Sequence, residues 1–238
     1  MKDKNIIQTQ ANYESMTPFE LVSYERWRLL NPDYTHRFFT NEESDQFVEK
    51  LFPDQFDHYM NLTVGTQNDI KRLCIVYDLG GVYVDTDTYP VIPLRDYMPN
   101  KSFVPFVHHA NGMLCGHMFA AEKGDQLIYR MAASALELTQ SQPEPDRNNY
   151  EAWAGWFFDN ASVHLYEREM RAAGVQNSGC VSGCTYHSHD LTDPIPDNVR
   201  AVHYGLASWM PPHKHRSKAE VVREQSIILA RIKHYFPN

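Results

Sequence analysis

With 238 residues, 42% of them hydrophobic and 22% charged, the chain can bury one sizeable core and calls for no second domain. Its formal charge of −8 argues against general nucleic-acid binding, which needs a basic surface to neutralise phosphates, so any phosphate site must be local. Four cysteines, Cys74, Cys115, Cys180 and Cys184, are too few for a disulfide framework, and a reducing, cytoplasmic setting is expected.

The polar opening Met1-Lys2-Asp3-Lys4-Asn5 and the lack of any run of about eighteen apolar residues predict neither a signal peptide nor a membrane anchor. In that setting the sequons Asn61-Leu62-Thr63 and Asn160-Ala161-Ser162 carry no meaning. Asn5 to Thr9 reads as a first strand, and Thr17-Pro18-Phe19-Glu20 combines a capping box with proline at the first helical position. The helix that follows runs to about Leu30 and stops at Asn31-Pro32. Tyr34 to Phe39 is a second strand, and Thr40-Asn41-Glu42-Glu43 opens a second capped helix that ends near Phe52-Pro53. From Gln67 to Leu79 the apolar residues Ile70, Leu73, Cys74, Val76 and Tyr77 recur at helical spacing, then Gly80-Gly81 stops the helix. Alternating strands and helices predict an α/β domain with a mixed sheet covered by helices.

Beyond residue 100 the pattern loosens. Strands are expected at Ser102 to Val107, Met113 to Ala121 and Arg200 to Tyr204, with a helix from about Asp125 to Leu138. Gln140 to Asn149 reads as a polar loop, Tyr150 to Phe158 as one wall of a cleft, and Ser178 to Asp197 as turns with little periodicity. The C-terminal helix places Val221, Val222, Ile228, Ile232 and Phe236 roughly on one face. One domain, 1–238, is expected, in three stretches: 1–100, which ends just beyond an Asp-Thr-Asp turn, 101–212, and the amphipathic helix at 213–238.

Gly80-Gly81-Val82-Tyr83-Val84-Asp85-Thr86-Asp87 carries the chemistry. Val82 and Val84 fit a short strand leaving a glycine turn, and Asp85 and Asp87 lie at or just beyond its end, where ligand loops of α/β folds gather. Residues i and i+2 share a face of a regular strand, so the two carboxylates can converge on one hard cation such as Mg²⁺ or Mn²⁺. Solvated turn aspartates are the bland alternative. Asp69 and Arg72 are three apart on the preceding helix and share a face; alone, they would be read as an exposed ion pair contributing only about 0–1 kcal/mol.

Gln67-Asn68-Asp69-Ile70-Lys71-Arg72 followed by the Gly80 to Asp87 run resembles the signature of glycosyltransferase family 32, the DXD sugar-binding group that includes the yeast initiating α-mannosyltransferases. Ile6-Ile7-Gln8-Thr9 is similar to the family's first-strand motif, Trp27 through Thr40 to its second unit, and His203-Tyr204-Gly205-Leu206-Ala207-Ser208-Trp209 to its C-terminal segment, so nearly the whole catalytic domain is expected to be present. Two departures stand out. Gln10 occupies the place of an aromatic residue after Gln-Thr, and the family's Thr-Gly-Pro segment has at best Ala154-Gly155-Trp156 as its counterpart.

The resemblance implies a GT-A (Rossmann-like) fold, a nucleotide diphosphate sugar donor, a divalent metal and transfer to a glycan, lipid or protein hydroxyl with retention of configuration; it makes 1–100 the donor half and 101–212 the acceptor-side half with the C-terminal metal-ligand segment. It implies that Asp87 ligates the metal, that Asp85 contacts the ribose and the metal shell, and that His203 adds a third ligand. An imidazole suits Mn²⁺ better than Mg²⁺, so manganese is preferred. By the same resemblance Asp69 and Arg72 grip the donor sugar, Gln8 and Thr9 lie near the base, and Ser208 and Trp209 reach the pyrophosphate. Tyr83 could close the donor pocket, although strand packing is the favoured role; Trp209 could equally be a core anchor. UDP is preferred over GDP only because UDP-sugars are the commoner donors of GT-A enzymes.

Asp85-Thr86-Asp87 also resembles the nucleophile motif of haloacid-dehalogenase-type phosphatases, the runner-up, but Tyr89 stands where that motif has Thr or Val. A sugar-nucleotide or glycan-binding protein without catalysis is a third class. Cys180, Cys184, His187 and His189 hold enough ligands for a zinc site but not at a standard spacing, and a loop with reduced thiols is preferred. His108, His109, His117, His213 and His215 are expected to be surface or packing residues. The basic run His213 to Lys218 could touch anionic lipid, but a docking helix with a solvated start is favoured.

Overall fold

The computed structural model describes residues 2–98, 103–108, 114–141, 181–187, 199–204 and 218–235. Among these residues eight strands form one mixed sheet: β1 (Asn5–Thr9), β2 (Thr35–Phe39), β3 (Gly81–Val84), β4 (Thr88–Pro90), β5 (Phe103–His108), β6 (Leu114–Ala121), β7 (Val181–His187) and β8 (Ala201–His203). Their spatial order is β2-β1-β3-β6-β5-β7-β8-β4. β1 lies parallel between β2 and β3, β6 runs antiparallel to both β3 and β5, β5-β7-β8 are parallel, and β4 closes the far edge antiparallel to β8.

Among the described residues the α-helices are α1 (Pro18–Leu30), α2 (Asn41–Leu51), α3 (Phe56–Met60), α4 (Val64–Leu79), α5 (Gln126–Ser141) and α6 (Lys218–Tyr235). Both expected capping boxes form: Thr17 and Glu20 bond reciprocally at the start of α1, as do Thr40 and Glu43 at α2. α4 begins earlier than its apolar period indicates, because Thr63 caps it. It ends at Gly80, with φ +67, followed by Gly81 at φ +122. A side chain at Gly81 would place its Cβ 2.5 Å from the Asn5 carbonyl oxygen, so glycine lets β3 lie against β1.

The period of two along the strands sorts residues onto two buried faces. Ile7, Tyr83, Phe119 and Ala121 pack beneath α2, α4 and α5 with Ile70, Leu73, Cys74, Ile128 and Leu136. Ile6, Val82, Val84, Met118 and Ala120 pack on the other face with Trp27 and Leu94. A third cluster joins Phe19, Tyr89, Val202 and Tyr204 to Ile228 and Ile232 of α6, the docking role favoured for the C-terminal helix.

Two strands differ from the sequence reading. Val181–His187, read as turns, is a strand paired on both sides by β5 and β8; long-range pairing supplies what periodicity did not. Thr88–Pro90 forms a short strand of its own, with Thr88 opposite His203. Among the described residues no helix is long and apolar enough to cross a membrane. The expectations for Gln140 to Asn149, beyond Ser141, and for Tyr150 to Phe158 lie outside the described residues, as do Ser208, Trp209, Phe236, Cys180 and His189.

Candidate active site

The strand that carries the carboxylates ends at Val84, and Asp85 to Asp87 form a turn closed by the Thr88 N–H donating to the Asp85 carbonyl at 3.0 Å. Convergence of the two aspartates therefore comes from the turn rather than from a continuing pleat. The turn is fastened by one stripe of α1. Glu20, Ser23 and Trp27, at i, i+3 and i+7, face it: the Thr86 hydroxyl donates to Glu20 Oε1 at 2.8 Å, and Ser23 Oγ and Trp27 Nε1 both donate to the Thr88 carbonyl, at 2.6 and 2.7 Å. Glu20 and Ser23 are buried, and Glu20 Oε1 also accepts from Gln10 Nε2 at 2.8 Å.

On one side of the turn stands α4. Asp69 and Arg72 are buried, not the exposed pair that local spacing alone allows, and are joined at 2.8 Å. Arg72 Nη1 lies 3.7 Å from Asp85 Oδ1 and donates to the Gly116 carbonyl at 2.6 Å, while its guanidinium sits 5.1 Å from the Tyr83 ring centroid. Burial raises the Asp69 carboxyl to about 6 despite the opposing pull of Arg72, with the Asp85 charge adding to the rise.

Behind Asp85 lies Tyr83, 2% exposed and stacked on Phe119, with its hydroxyl donating to Asp85 Oδ1 at 2.7 Å and sharing a 3.1 Å bond with Thr9 Oγ1. Burial raises the Tyr83 hydroxyl well above its usual range, so it stays protonated and acts as donor. Gln8, also buried, reaches the Asp85 carbonyl at 3.5 Å and bonds His36 at 2.8 Å. His36 stacks on Tyr24 and is held neutral, lowered to about 4 by burial.

On the other side, β8 delivers His203. The Tyr204 N–H donates to the Asp87 carbonyl at 3.1 Å, and His203 Nε2 stands 3.2 Å from Asp87 Oδ1 and 4.0 Å from Asp85 Oδ2. Burial alone would lower the His203 pKa, but Asp87, by charge and hydrogen bond, and then Asp85 raise it overall. Burial raises Asp85, with Arg72 opposing and Asp87 reinforcing. Ligand atoms of Asp85, Asp87 and His203 all lie within 4.8 Å of one another, and two carboxylates with one imidazole suit a divalent cation that accepts both hard oxygen and borderline nitrogen. Asp69, Arg72, Asp85, Asp87 and His203 thus form one cluster, with Gln8, Thr9 and Tyr83 behind it. Of the proposed zinc ligands, Cys184 and His187 fall on β7.

Three supports were not anticipated: Glu20, the Gly116 carbonyl, and His117, whose ring lies against His203. His117 was expected only as a surface or packing residue, and no local signal marks it, because its place depends on the antiparallel register of β6 with β3.

Residues 20–104 match the family model described as glycosyltransferase sugar-binding region containing DXD motif. That segment holds both the Asp69–Arg72 pair and the Asp85-Thr86-Asp87 turn, so the donor-side part of the site is what this chain has in common with the DXD glycosyltransferase family. It is 28% identical over 120 residues to an initiation-specific alpha-1,6-mannosyltransferase of Candida albicans, covering 48% of this chain and 31% of that protein. It is 31% identical over 97 residues to the protein of the same name from Schizosaccharomyces pombe, covering 37% and 24%. The chain spans less than a third of the length of these curated relatives. Among solved structures, PaToxG glycosyltransferase aligns with a TM-score of 0.53 at 16% identity over 72% of this chain and 69% of that one, a likeness of fold. The fold is GT-A, as the resemblance implied.

Proposed function

We propose that this protein is a metal-dependent glycosyltransferase that moves a sugar from a nucleotide diphosphate sugar to an acceptor hydroxyl, with retention of configuration. The observation that carries the reading is the meeting of Asp85, Asp87 and His203 within 4.8 Å, beside the buried Asp69–Arg72 pair. Asp85, Asp87 and His203 would hold the cation, with manganese preferred for the imidazole. A bound divalent cation there would offset the charge that grows on the diphosphate as the glycosidic bond breaks.

The protein's own groups supply the rest. Arg72, fixed by Asp69 and the Gly116 carbonyl, presents a guanidinium toward Asp85 and is placed to donate to sugar or phosphate oxygens. Asp69 would accept hydroxyl bonds from the sugar. Tyr83, through its hydroxyl on Asp85 Oδ1, fixes the orientation of that carboxylate. Gln8 and Thr9, at the end of β1, are assigned to the base side, and Ser208 and Trp209 to the pyrophosphate. In the transfer the acceptor oxygen bonds to the anomeric carbon on the face the leaving group departs. The anomeric carbon–oxygen bond breaks with its electron pair going to the diphosphate, and a phosphate oxygen takes the acceptor proton.

The relatives are named as mannosyltransferases, which supports a mannosyl donor and moves the choice of nucleotide toward GDP, away from the UDP expected from frequency alone. Incubation with Mn²⁺ and a panel of UDP- and GDP-sugars, read as released nucleoside diphosphate and transferred sugar, tests the reading. One donor should turn over, and Asp87→Asn should lower its rate about a hundredfold or more. Wild-type rates in Asp87→Asn would overturn the metal assignment. Tight donor binding with neither hydrolysis nor transfer would favour a non-catalytic protein, and phosphate release from simple monoesters would favour a phosphatase.

A further inference from the structure

His117 touches both chain segments that bring ligand atoms to the proposed metal site. Its carbonyl, on β6, accepts the Asp85 N–H at 2.9 Å, one step beyond the Val84–Met118 pair of the β3–β6 ladder. Its ring lies face to face with that of His203, centroids 3.9 Å apart and planes 9° from parallel. Both histidines are buried, each 8% exposed.

The backbone of His203 is already fixed by its pairing with Thr88 and by the Tyr204 N–H on the Asp87 carbonyl. Its ring is not fixed by those bonds, because the second torsion of a histidine has broad, shallow minima. Asp87 Oδ1 reaches the ring itself, 3.2 Å from Nε2, and the flat His117 ring covers one face of the imidazole. His117 is not itself part of the convergent donor set of Asp85, Asp87 and His203.

We propose that His117 is a positioning residue: its flat ring sets the plane of His203 so that Nε2 and the two carboxylates converge ready-made on a divalent cation. The inference rests on the metal site proposed above. The stack makes the apo site pre-organised, so that binding need not order the imidazole.

Manganese titrations followed by the electron paramagnetic resonance of free Mn²⁺ test it on wild type, His117→Phe, His117→Leu, His117→Ala and Asp87→Asn, with metal-free melting as a check on folding. His117→Phe keeps a flat ring and should bind Mn²⁺ as wild type does; His117→Leu and His117→Ala should bind on the order of tenfold more weakly. Transfer by these two should recover at saturating Mn²⁺, a loss in apparent metal affinity rather than in kcat. If His117→Ala does not fold, the Phe and Leu variants decide, since they differ in flatness more than in bulk. Equal affinity in Leu and wild type, or equal weakness in Phe and Leu, would overturn the positioning role while leaving the metal site standing. Equal binding by wild type and Asp87→Asn would remove the metal site and this inference together.

Discussion

Asp69 and Arg72 stand one helical turn apart on α4, whereas Asp87 and His203 reach each other from positions more than a hundred residues apart. The first pair exists as soon as α4 forms, and its geometry is that of any i, i+3 pair. The second exists only once β4 has paired with β8 and the Tyr204 N–H has found the Asp87 carbonyl. Asp85 belongs to both, lying 3.7 Å from Arg72 and 4.0 Å from His203. The difference separates two jobs: the helical side carries a buried ion pair that its own helix assembles, and the sheet side gathers charge that a cation is expected to complete.

Arg72→Ala strikes the junction and should give the largest effect. It leaves Asp69 buried and Asp85 half-buried without their cation and is expected to cost about 3 kcal/mol of stability, read by urea unfolding. A smaller loss would mean that the two sides are less coupled through Asp85 than the distances imply. His203→Ala acts on the sheet side alone. It should abolish the stabilisation by Mn²⁺, about 2.7 kcal/mol in wild type at a hundredfold excess over Kd, seen as the loss of the metal-induced rise in Tm. A full Mn²⁺ shift in this variant would remove His203 from the ligand set.

Asp69→Asn isolates the helical side and has a sign that depends on pH. Burial holds Asp69 at about 6 in the folded protein, above the ordinary 3.8, so the native state binds this proton more tightly than the unfolded chain does. The group therefore weighs against folding increasingly as pH rises from about 4 to about 6, and by a constant amount above that. At pH 7 Asp69→Asn should be more stable than wild type, by on the order of 2 kcal/mol after the lost bond to Arg72, with the gap closing toward pH 4. Urea midpoints at both pH values check this, and transfer should fall as stability rises. His36 works the other way: its pKa, depressed to about 4, makes stability fall as pH drops from about 6.5 toward 4, a slope that His36→Phe should flatten. The smallest effect belongs to Thr86→Val, which removes one bond to Glu20 while Gln10 still serves that carboxylate; about 1 kcal/mol is expected by thermal unfolding.

Much of the helical side was legible in the sequence, because its signals are local. Capping boxes at Thr17 and Thr40, the glycine stop at Gly80 and the apolar period through α4 fix α1, α2 and α4, and hence which face carries Asp69 and Arg72. On the sheet side the strand before Asp85 and the strand of His203 were legible in local pattern, but their meeting was legible only through likeness to other chains. Nothing near His203 in sequence says that it opposes Thr88, and Val181 to His187 lacks the alternation that marks a strand; its state follows from neighbours on both edges. Arg72 on the Gly116 carbonyl, His117 on His203 and Glu20 under Thr86 escaped notice for the same reason: each depends on strand register or on the docking angle of α1, and neither is written in a local pattern.

The stripe of Glu20, Ser23 and Trp27 bears on whether the Asp-Thr-Asp turn is portable. A β3–turn–β4 segment moved into another scaffold would carry both carboxylates but not the three side chains that grip Thr86 and the Thr88 carbonyl from behind. The transplant would arrive without its splint, free to relax into the solvated turn that two aspartates ordinarily make. For grafting or minimisation, the unit to move is therefore the turn together with the helix some sixty residues upstream of it.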